Sequence, residues 1–188
     1  LREPLESGTV TIARAARSTE FPARFQLVAA MNPCPCGWAG DRSGRCRCSA
    51  ENIARYRARI SGPLLDRIDL HLQVPRLSPA ELRSDAPDGE NSAAVRARVM
   101  AARTRQHQRA GKANAHLTPS ETSRDCALAA AEQTLLDHAL ERLQLSARSM
   151  HRILRVARTI ADLDAAENIQ RPHLAEAIGY RQLDRAAE

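Results

Sequence analysis

The chain has 188 residues, enough for one or two compact domains, and a formal net charge of +6. No apolar run reaches the ~18 residues that a membrane helix needs, and no leader resembles a signal peptide, so we expect a soluble, cytoplasmic protein. Because it begins at Leu1, we also expect a fragment of a longer protein. The only lysine, Lys112 in RAGKANA, does not fit a phosphate-binding P-loop, so the chain alone is not a complete P-loop ATPase.

The excess of positive charge is denser in the first part of the chain, where residues 1–75 hold 11 basic and 7 acidic residues. Two explanations stay open at this point. A coding bias that favours arginine over lysine is one, and contact with phosphate groups, which guanidinium binds bidentately, is the other. With 3% aromatic residues there is no stacking platform for bases, so any nucleic-acid contact would be to the backbone.

The first elements predicted along the chain are a helix end over residues 1–8 and a hairpin. Residues 9–14 alternate polar and apolar side chains, and residues 19–25 complete the pair. Arg14 and Arg17 lie near the hairpin tip. They are candidates for contact with a phosphate backbone, although a solvated turn explains them equally well.

Two further strands are predicted where the chain becomes apolar. Residues 25–30, FQLVAA, suit a central strand of a parallel sheet that is buried on both faces. Apolar residues then alternate from Ile68 to Val74, which predicts a second strand. The fold predicted for residues 1–75 is therefore an α/β core with a partial parallel sheet.

The amino-acid composition of the sequence changes after Pro75. A Pro-, Ser- and Asp-rich stretch predicts a linker over residues 76–91, with a capping box at Ser78–Glu81. Residues 92–188 are predicted as an all-α lid of about four helices, with a second capping box at Thr118–Glu121 and an N-cap at Ser146. The predicted helices cover residues 92–110, 126–144, 147–163 and 171–184.

Four cysteines lie in two Cys-x-Cys pairs separated by nine residues. They are Cys34, Cys36, Cys46 and Cys48. Zinc takes four thiolates in a tetrahedral arrangement, and such a site is structural because no coordination position stays open. Free or redox-active thiols are an alternative, and disulfides are a second one that a reducing cytoplasm disfavours. The fifth cysteine, Cys126, is predicted to be simply buried.

Three polar positions could contact a nucleotide. Asn32 follows the first predicted strand, where it could orient an attacking water, or it could simply form a turn before Pro33. Arg67 could be an arginine finger that stabilises charge on a γ-phosphate, or the partner of a neighbouring aspartate. Arg148 leads a stripe on one helix face with Arg152 and Arg155, which could bind an anion or face solvent.

The motifs together resemble those of the magnesium-chelatase-like AAA+ ATPases of the ComM/YifB type, over nearly the whole chain. The strings that carry the resemblance are REPLESGTVTIARA, FPARFQLVAAMNPCPCG, RYRARISGPLLDRIDLHLQVP and LSARSMHRILRVARTIADL. The resemblance implies an ATP- and Mg-dependent hexameric ring that remodels branched DNA during natural transformation. The Walker A and Walker B segments of that family are not among these residues.

The resemblance also implies a role for each candidate residue. Asn32 corresponds to sensor 1, Arg67 to an arginine finger acting on the neighbouring subunit's ATP, and Arg148 to sensor 2 in the lid. The hairpin that carries Arg14 and Arg17 corresponds to a pore-facing hairpin that contacts DNA. Two alternatives remain: a subunit of a chelatase that inserts Mg into a porphyrin, and a non-catalytic, zinc-stabilised interaction module.

Overall fold

A computed structural model of the chain divides it into two compact units, one up to Ile68 and one from Asp69 onward. The sequence prediction placed this division after Pro75. The structure describes residues 2–14, 17–41, 43–77, 83 and 89–181.

The first unit opens with a short helix and the predicted hairpin. Helix α1 spans Arg2–Ser7, and Gly8 ends it in the left-handed conformation with φ of 72°. Strands β1, Thr9–Arg14, and β2, Arg17–Pro22, then pair antiparallel, which confirms the hairpin. The two residues between the strands lie outside the described part of the chain.

Two short helices follow the cysteine-rich loop. Helix α2 spans Ala50–Arg57, and the Ser49 hydroxyl accepts the Asn52 backbone N–H at 3.2 Å as its N-cap. Helix α3 spans Gly62–Leu65 and carries Pro63 in its first turn, where a missing backbone N–H costs nothing.

The predicted parallel strands are not formed in the structure. Residues 25–30 and 68–74 have no regular secondary structure, and the described residues contain only the two-stranded sheet of β1 and β2. A strand requires a neighbouring strand to satisfy its backbone N–H and C=O groups, and no described strand pairs with either stretch. Their apolar side chains remain outside, with Val28 84% and Val74 89% exposed. The predicted AAA+ core remnant is therefore not confirmed.

The second unit is helical, as predicted, with five α-helices and a 3₁₀ helix in its described residues instead of about four helices. The extra helix arises because residues predicted as one helix from 126 to 144 form α6 alone, after a separate α5 that begins at the capping box. The elements are α4 Ser92–Ala110, the 3₁₀ helix Asn114–His116, α5 Pro119–Asp125, α6 Ala130–Arg142, α7 Ala147–Leu163 and α8 Arg171–Gly179. Helix α8 ends five residues before the predicted position 184, and residues beyond 181 lie outside the described part.

Capping side chains fix where these helices begin. Asn91 caps α4, and Ser146 caps α7 by accepting the Ser149 backbone N–H at 3.2 Å. Thr118 and Glu121 form the predicted capping box, in which each side chain accepts the other residue's backbone N–H. The other predicted box, Ser78–Glu81, falls outside the described residues.

The hydrophobic core of the second unit is built around α7. Its buried face carries Ile153, Leu154, Ala157 and Ala161, as the helical periodicity predicts, and Cys126 is buried beside them. Residues 69–77 belong to this unit, since the His71 backbone N–H donates to the Tyr180 carbonyl at 2.8 Å. Among the described helices, none combines the length and apolar character that crossing a membrane requires.

A buried carboxylate joins three parts of the helical unit. Asp162, which is 1% exposed, accepts two hydrogen bonds from Arg109 at 2.8 and 2.7 Å. The Asn114 side-chain amide donates to it at 2.8 Å, and the Arg158 guanidinium lies 3.2 Å away. Asp162 therefore ties α4 and the 3₁₀ helix to α7, and its charge is compensated on every side.

We expect Asp162→Ala to destabilise the protein by about 3–5 kcal/mol, because the substitution leaves the buried Arg158 and the partly buried Arg109 guanidinium groups without their counter-charge. Denaturant unfolding followed by helix circular dichroism measures the change. Asp137→Ala removes an exposed carboxylate from α6 and should change the free energy of unfolding by less than about 0.5 kcal/mol. Equal losses in the two variants would contradict the assignment of Asp162 as the tie.

Candidate functional site

The four cysteines predicted as a metal site come together in the structure. Their sulfur atoms all lie within 4.8 Å of one another. The Cys34 Sγ is 3.3 Å from that of Cys36 and 3.9 Å from that of Cys46, and the Cys36 and Cys46 sulfurs are 3.7 Å apart. Tetrahedral ligands at the usual Zn–S bond length are separated by about 3.8 Å. All four are free thiols, so the arrangement has the donor set and the spacing of a metal site and not of disulfides.

Glycines allow the loop to fold the two cysteine pairs toward each other. Gly37, Gly40 and Gly44 all adopt positive φ, between 65° and 81°, where a side chain would strain the backbone. The Gly37 backbone N–H closes a turn onto the Cys34 carbonyl at 3.0 Å. The Ala39 backbone N–H points at the Cys34 sulfur at 3.3 Å, a contact that favours a thiolate there.

Two contacts hold the loop, one from helix α2 and one within the loop itself. Arg57 of α2 donates from Nε to the Pro33 carbonyl at 3.3 Å. Within the loop, the Arg45 guanidinium lies over the Trp38 ring, 5.0 Å from its centre. Cys34 is fully buried, whereas Cys36 is exposed and the other pair is half-buried.

The electrostatics of the cluster differ strongly between its members. Hydrogen bonds from the backbone N–H groups of Trp38 and Arg47 lower the pKa of Cys36 to about 6. The Cys36 backbone N–H favours the thiolate of Cys48, but the neighbouring thiols and burial outweigh it and raise the pKa of Cys48 to about 11. Since charge on one sulfur opposes ionisation of the next, all four ionise together only beside a cation.

Asn32 lies at the edge of this loop. It is exposed, and its side-chain amide lies next to Gly37, 3.9 Å from where a Cβ would project at that glycine. The side chain is thus available to a ligand, and its position depends on the fold of the cysteine loop. Its role as sensor 1 stays a prediction.

Arg67 pairs within the first unit with Glu6, a residue that no sequence pattern singles out. Its Nε and Nη2 donate to Glu6 Oε2 at 3.1 and 2.6 Å, and its Nη1 donates to the Pro63 carbonyl at 2.6 Å. The predicted local partners, Asp66 and Asp69, are not the residues in these contacts. Glu6 lies 61 positions away, so no local pattern could indicate the pair.

The two hairpin arginines face each other. Arg14 and Arg17 are cross-strand partners in the last pair of the β1–β2 ladder, and both are exposed. Like charges placed directly opposite repel, so an anion between or beside them would stabilise the hairpin end.

The predicted arginine stripe on α7 is divided between internal contacts and the surface. Arg152 pairs with Asp69 at 2.5 Å, and Arg155 donates to the Leu117 carbonyl at 3.1 Å. Burial lowers the pKa of Arg155. Of the three arginines, only Arg148 in the first turn of α7 is exposed. Arg148 belongs to the second unit, whereas Asn32 and Arg67 belong to the first.

Two protein-family models match this chain and together cover most of it. The model described as magnesium chelatase, subunit ChlI, matches residues 1–82, which include the hairpin, the four cysteines and Arg67. The model described as the C-terminal part of magnesium chelatase, subunit ChlI, matches residues 89–181, which are the helices of the second unit.

Several curated relatives match over almost the whole chain. Competence protein ComM of Haemophilus influenzae is 50% identical over 186 residues, which are 98% of this chain and 36% of that protein. Uncharacterized protein YifB of Escherichia coli K12 is 47% identical over the same share of both chains. Uncharacterized protein Rv2897c of Mycobacterium tuberculosis is 40% identical over 97% of this chain and 36% of its own length. The chain thus spans about a third of the length of these relatives.

We expect the purified protein to contain about one tetrahedrally bound metal ion per chain and Cys34→Ser to contain almost none, because Cys34 is the buried member of the donor set. Elemental analysis after exhaustive dialysis under reducing conditions measures this. Cys126→Ala is the matched control, since it removes a buried thiol outside the cluster and should keep the metal. A metal-free wild-type protein, or equal metal loss in both variants, would contradict the site.

Proposed function

This chain belongs to the magnesium chelatase family, subunit ChlI, and on that premise we propose that it is the C-terminal part of an ATP-hydrolysing ring motor that remodels DNA. The observation that carries the proposal is the 50% identity to competence protein ComM, which extends over 98% of the chain. The identity extends over both units and the cysteine loop, and so supports a relationship along the whole chain and not through one shared segment.

Three side chains are proposed to contact ATP, which would bind together with Mg²⁺. The other groups that hold the nucleotide and the metal ion would come from the rest of the protein. The bound nucleotide supplies the phosphoanhydride bond that is hydrolysed. Asn32 has an exposed amide that can orient a water, and Arg148 has an exposed guanidinium that can reach a phosphate from the helical unit. Arg67 offers positive charge to the site of a neighbouring subunit.

The contacts of Arg67 hold its guanidinium in one orientation, as a role in binding phosphate requires. Its side chain is 15% exposed and is fixed by Glu6 and by the Pro63 carbonyl, so it does not sample many rotamers. An arginine already held in one orientation loses less entropy when it meets a phosphate. The carboxylate of Glu6 must then be shared with, or exchanged for, the phosphate of the partner subunit.

The four-cysteine cluster is proposed to hold a structural zinc ion. Zinc prefers four thiolates at the sulfur spacing observed here, and a full set of protein ligands leaves no open position for catalysis. Its contribution is to order the loop on which the position of Asn32 depends.

The apolar stretches over residues 25–30 and 68–74 are proposed to become strands in the whole protein. Their exposed apolar side chains, among them Val28 and Val74, require cover, and their backbone groups require a neighbouring strand. Because this chain spans 36% of its relatives' length, the neighbouring strands would come from the remaining part.

DNA is the proposed substrate because of the hairpin end. Arg14 and Arg17 concentrate two exposed like charges in the last pair of the β1–β2 ladder, and a ring of subunits would multiply this charge around a central pore. A chelatase that inserts Mg²⁺ into a porphyrin is the second candidate, and the description of both family models favours it. The two differ in whether duplex DNA or a porphyrin stimulates ATP turnover.

We expect Arg67→Ala to reduce ATP turnover of the assembled whole protein by about 10³-fold, because an arginine finger stabilises charge only in the transition state. Steady-state phosphate release at saturating ATP measures the loss. Glu6→Gln is the matched variant: it breaks the same ion pair but keeps the guanidinium.

The two variants separate catalysis from structure. If Arg67 acts on ATP, Glu6→Gln should retain most of the turnover, and Arg67→Ala should still form the assembly. Near-normal turnover in Arg67→Ala, or the same loss in both variants, would contradict the finger assignment and leave Arg67 as a tie between α1 and the turn after α3.

A further inference from the structure

Helix α4 has an unusual charge composition. Its 19 residues, SAAVRARVMAARTRQHQRA, contain five arginines and one histidine but no acidic residue. A helix of this length normally balances its charges through i,i+4 pairs, which α4 lacks within its own sequence. The five arginines divide into two groups by the direction they face.

The three arginines of the first group each have a hydrogen-bonding partner within the helical unit, although the Arg98 side chain is still 50% exposed. Arg98 forms a bidentate pair with Glu90 at 2.6 and 2.9 Å. Arg105 donates to the Asp162 carbonyl at 2.9 Å, and Arg109 binds the Asp162 carboxylate. These three arginines have structural roles, and they share the side of α4 on which Ala102 and Gln106 are buried.

The outward group forms a stripe on the opposite side of the helix. Arg96, Met100, Arg103 and His107 follow at i, i+4, i+7 and i+11, so they lie on one face, and all four are exposed. In the described part of the chain, Arg96 and Arg103 contact no carboxylate. Seven residues of helix place their Cα atoms about 10.5 Å apart along the axis.

We propose that this outward stripe of α4, defined as Arg96, Met100, Arg103 and His107, binds the sugar–phosphate backbone of duplex DNA. The stripe offers charged donors and no charged acceptor, which suits a polyanion. It contains no Phe, Tyr or Trp, the side chains that form base-stacking platforms, so contact with the phosphate backbone suits it better than stacking of unpaired bases. The choice of DNA as the polyanion rests on the proposed function. The stripe belongs to the second unit, whereas the hairpin arginines belong to the first.

Fluorescence anisotropy of a labelled duplex, titrated with the whole protein at several salt concentrations, tests the proposal. The double variant R96Q/R103Q should bind about 10-fold or more weakly near 0.15 M salt, whatever the DNA sequence. The slope of log K against log salt should fall in magnitude by about 2, since each lost phosphate contact removes about 0.9. R96K/R103K keeps both charges and should retain the wild-type slope.

A matched control removes the same net charge elsewhere in the same unit. R142Q/R171Q neutralises two exposed arginines, on α6 and α8, and should leave the affinity within about 2-fold. An equal loss in both double variants would mean a diffuse charge effect and would overturn the stripe.

Other outcomes distinguish the inference from the proposed function. If wild-type protein binds DNA but R96Q/R103Q binds equally well, the stripe is overturned and the DNA-directed function stands. If R96Q/R103Q keeps its DNA affinity but fails to assemble on a sizing column, the stripe contacts a second copy instead. Absence of any DNA binding by the wild-type protein overturns both proposals. If the two substitutions affect only the stripe, ATP turnover of R96Q/R103Q measured without DNA should equal that of the wild-type protein.

Discussion

The first unit depends on the four-cysteine cluster because it buries almost nothing else. Among the described residues up to Ile68, Cys34 is the only fully buried side chain, while five large apolar residues are exposed, namely Ile12, Phe21, Phe25, Val28 and Met31. Apolar burial is the main favourable term in folding, and this unit has little of it. Structural zinc contributes about 10–16 kcal/mol to small domains that fold around it. A metal ion at the cluster would therefore compensate for the missing core and hold Asn32 in place.

The second unit is stabilised differently, and its arginines have two kinds of environment. A hydrophobic core around α7 and the buried Asp162 network give it an interior of its own. Three arginines, Arg105, Arg109 and Arg158, bind Asp162 or neighbouring backbone carbonyls within this unit. The net charge of +6 alone is thus a poor guide to ligand binding, since several of the arginines that contribute to it are held by structural partners.

Local patterns in the sequence predicted local structure well. The features predicted correctly each depend on neighbours within about 20 residues. They are the capping residues Thr118 and Ser146, the buried face of α7, the β1–β2 hairpin and the grouping of four cysteines. The strands over 25–30 and 68–74 were wrong for this structure because periodicity shows which side chains seek burial but not which backbone will pair with them. The Glu6–Arg67 and Asp69–Arg152 pairs join residues 61 and 83 positions apart, and a single sequence carries no signal for such contacts.

Amide hydrogen exchange with and without a chelator tests most directly whether the cluster holds the first unit together. Peptides from residues 24–60 should exchange much faster once the metal is removed, whereas peptides from residues 92–181 should keep their protection, because the helical unit has its own core. The added zinc should restore the original rates. Unchanged exchange in residues 24–60 after complete metal removal would contradict the account and would require another source of order for the loop beside Asn32.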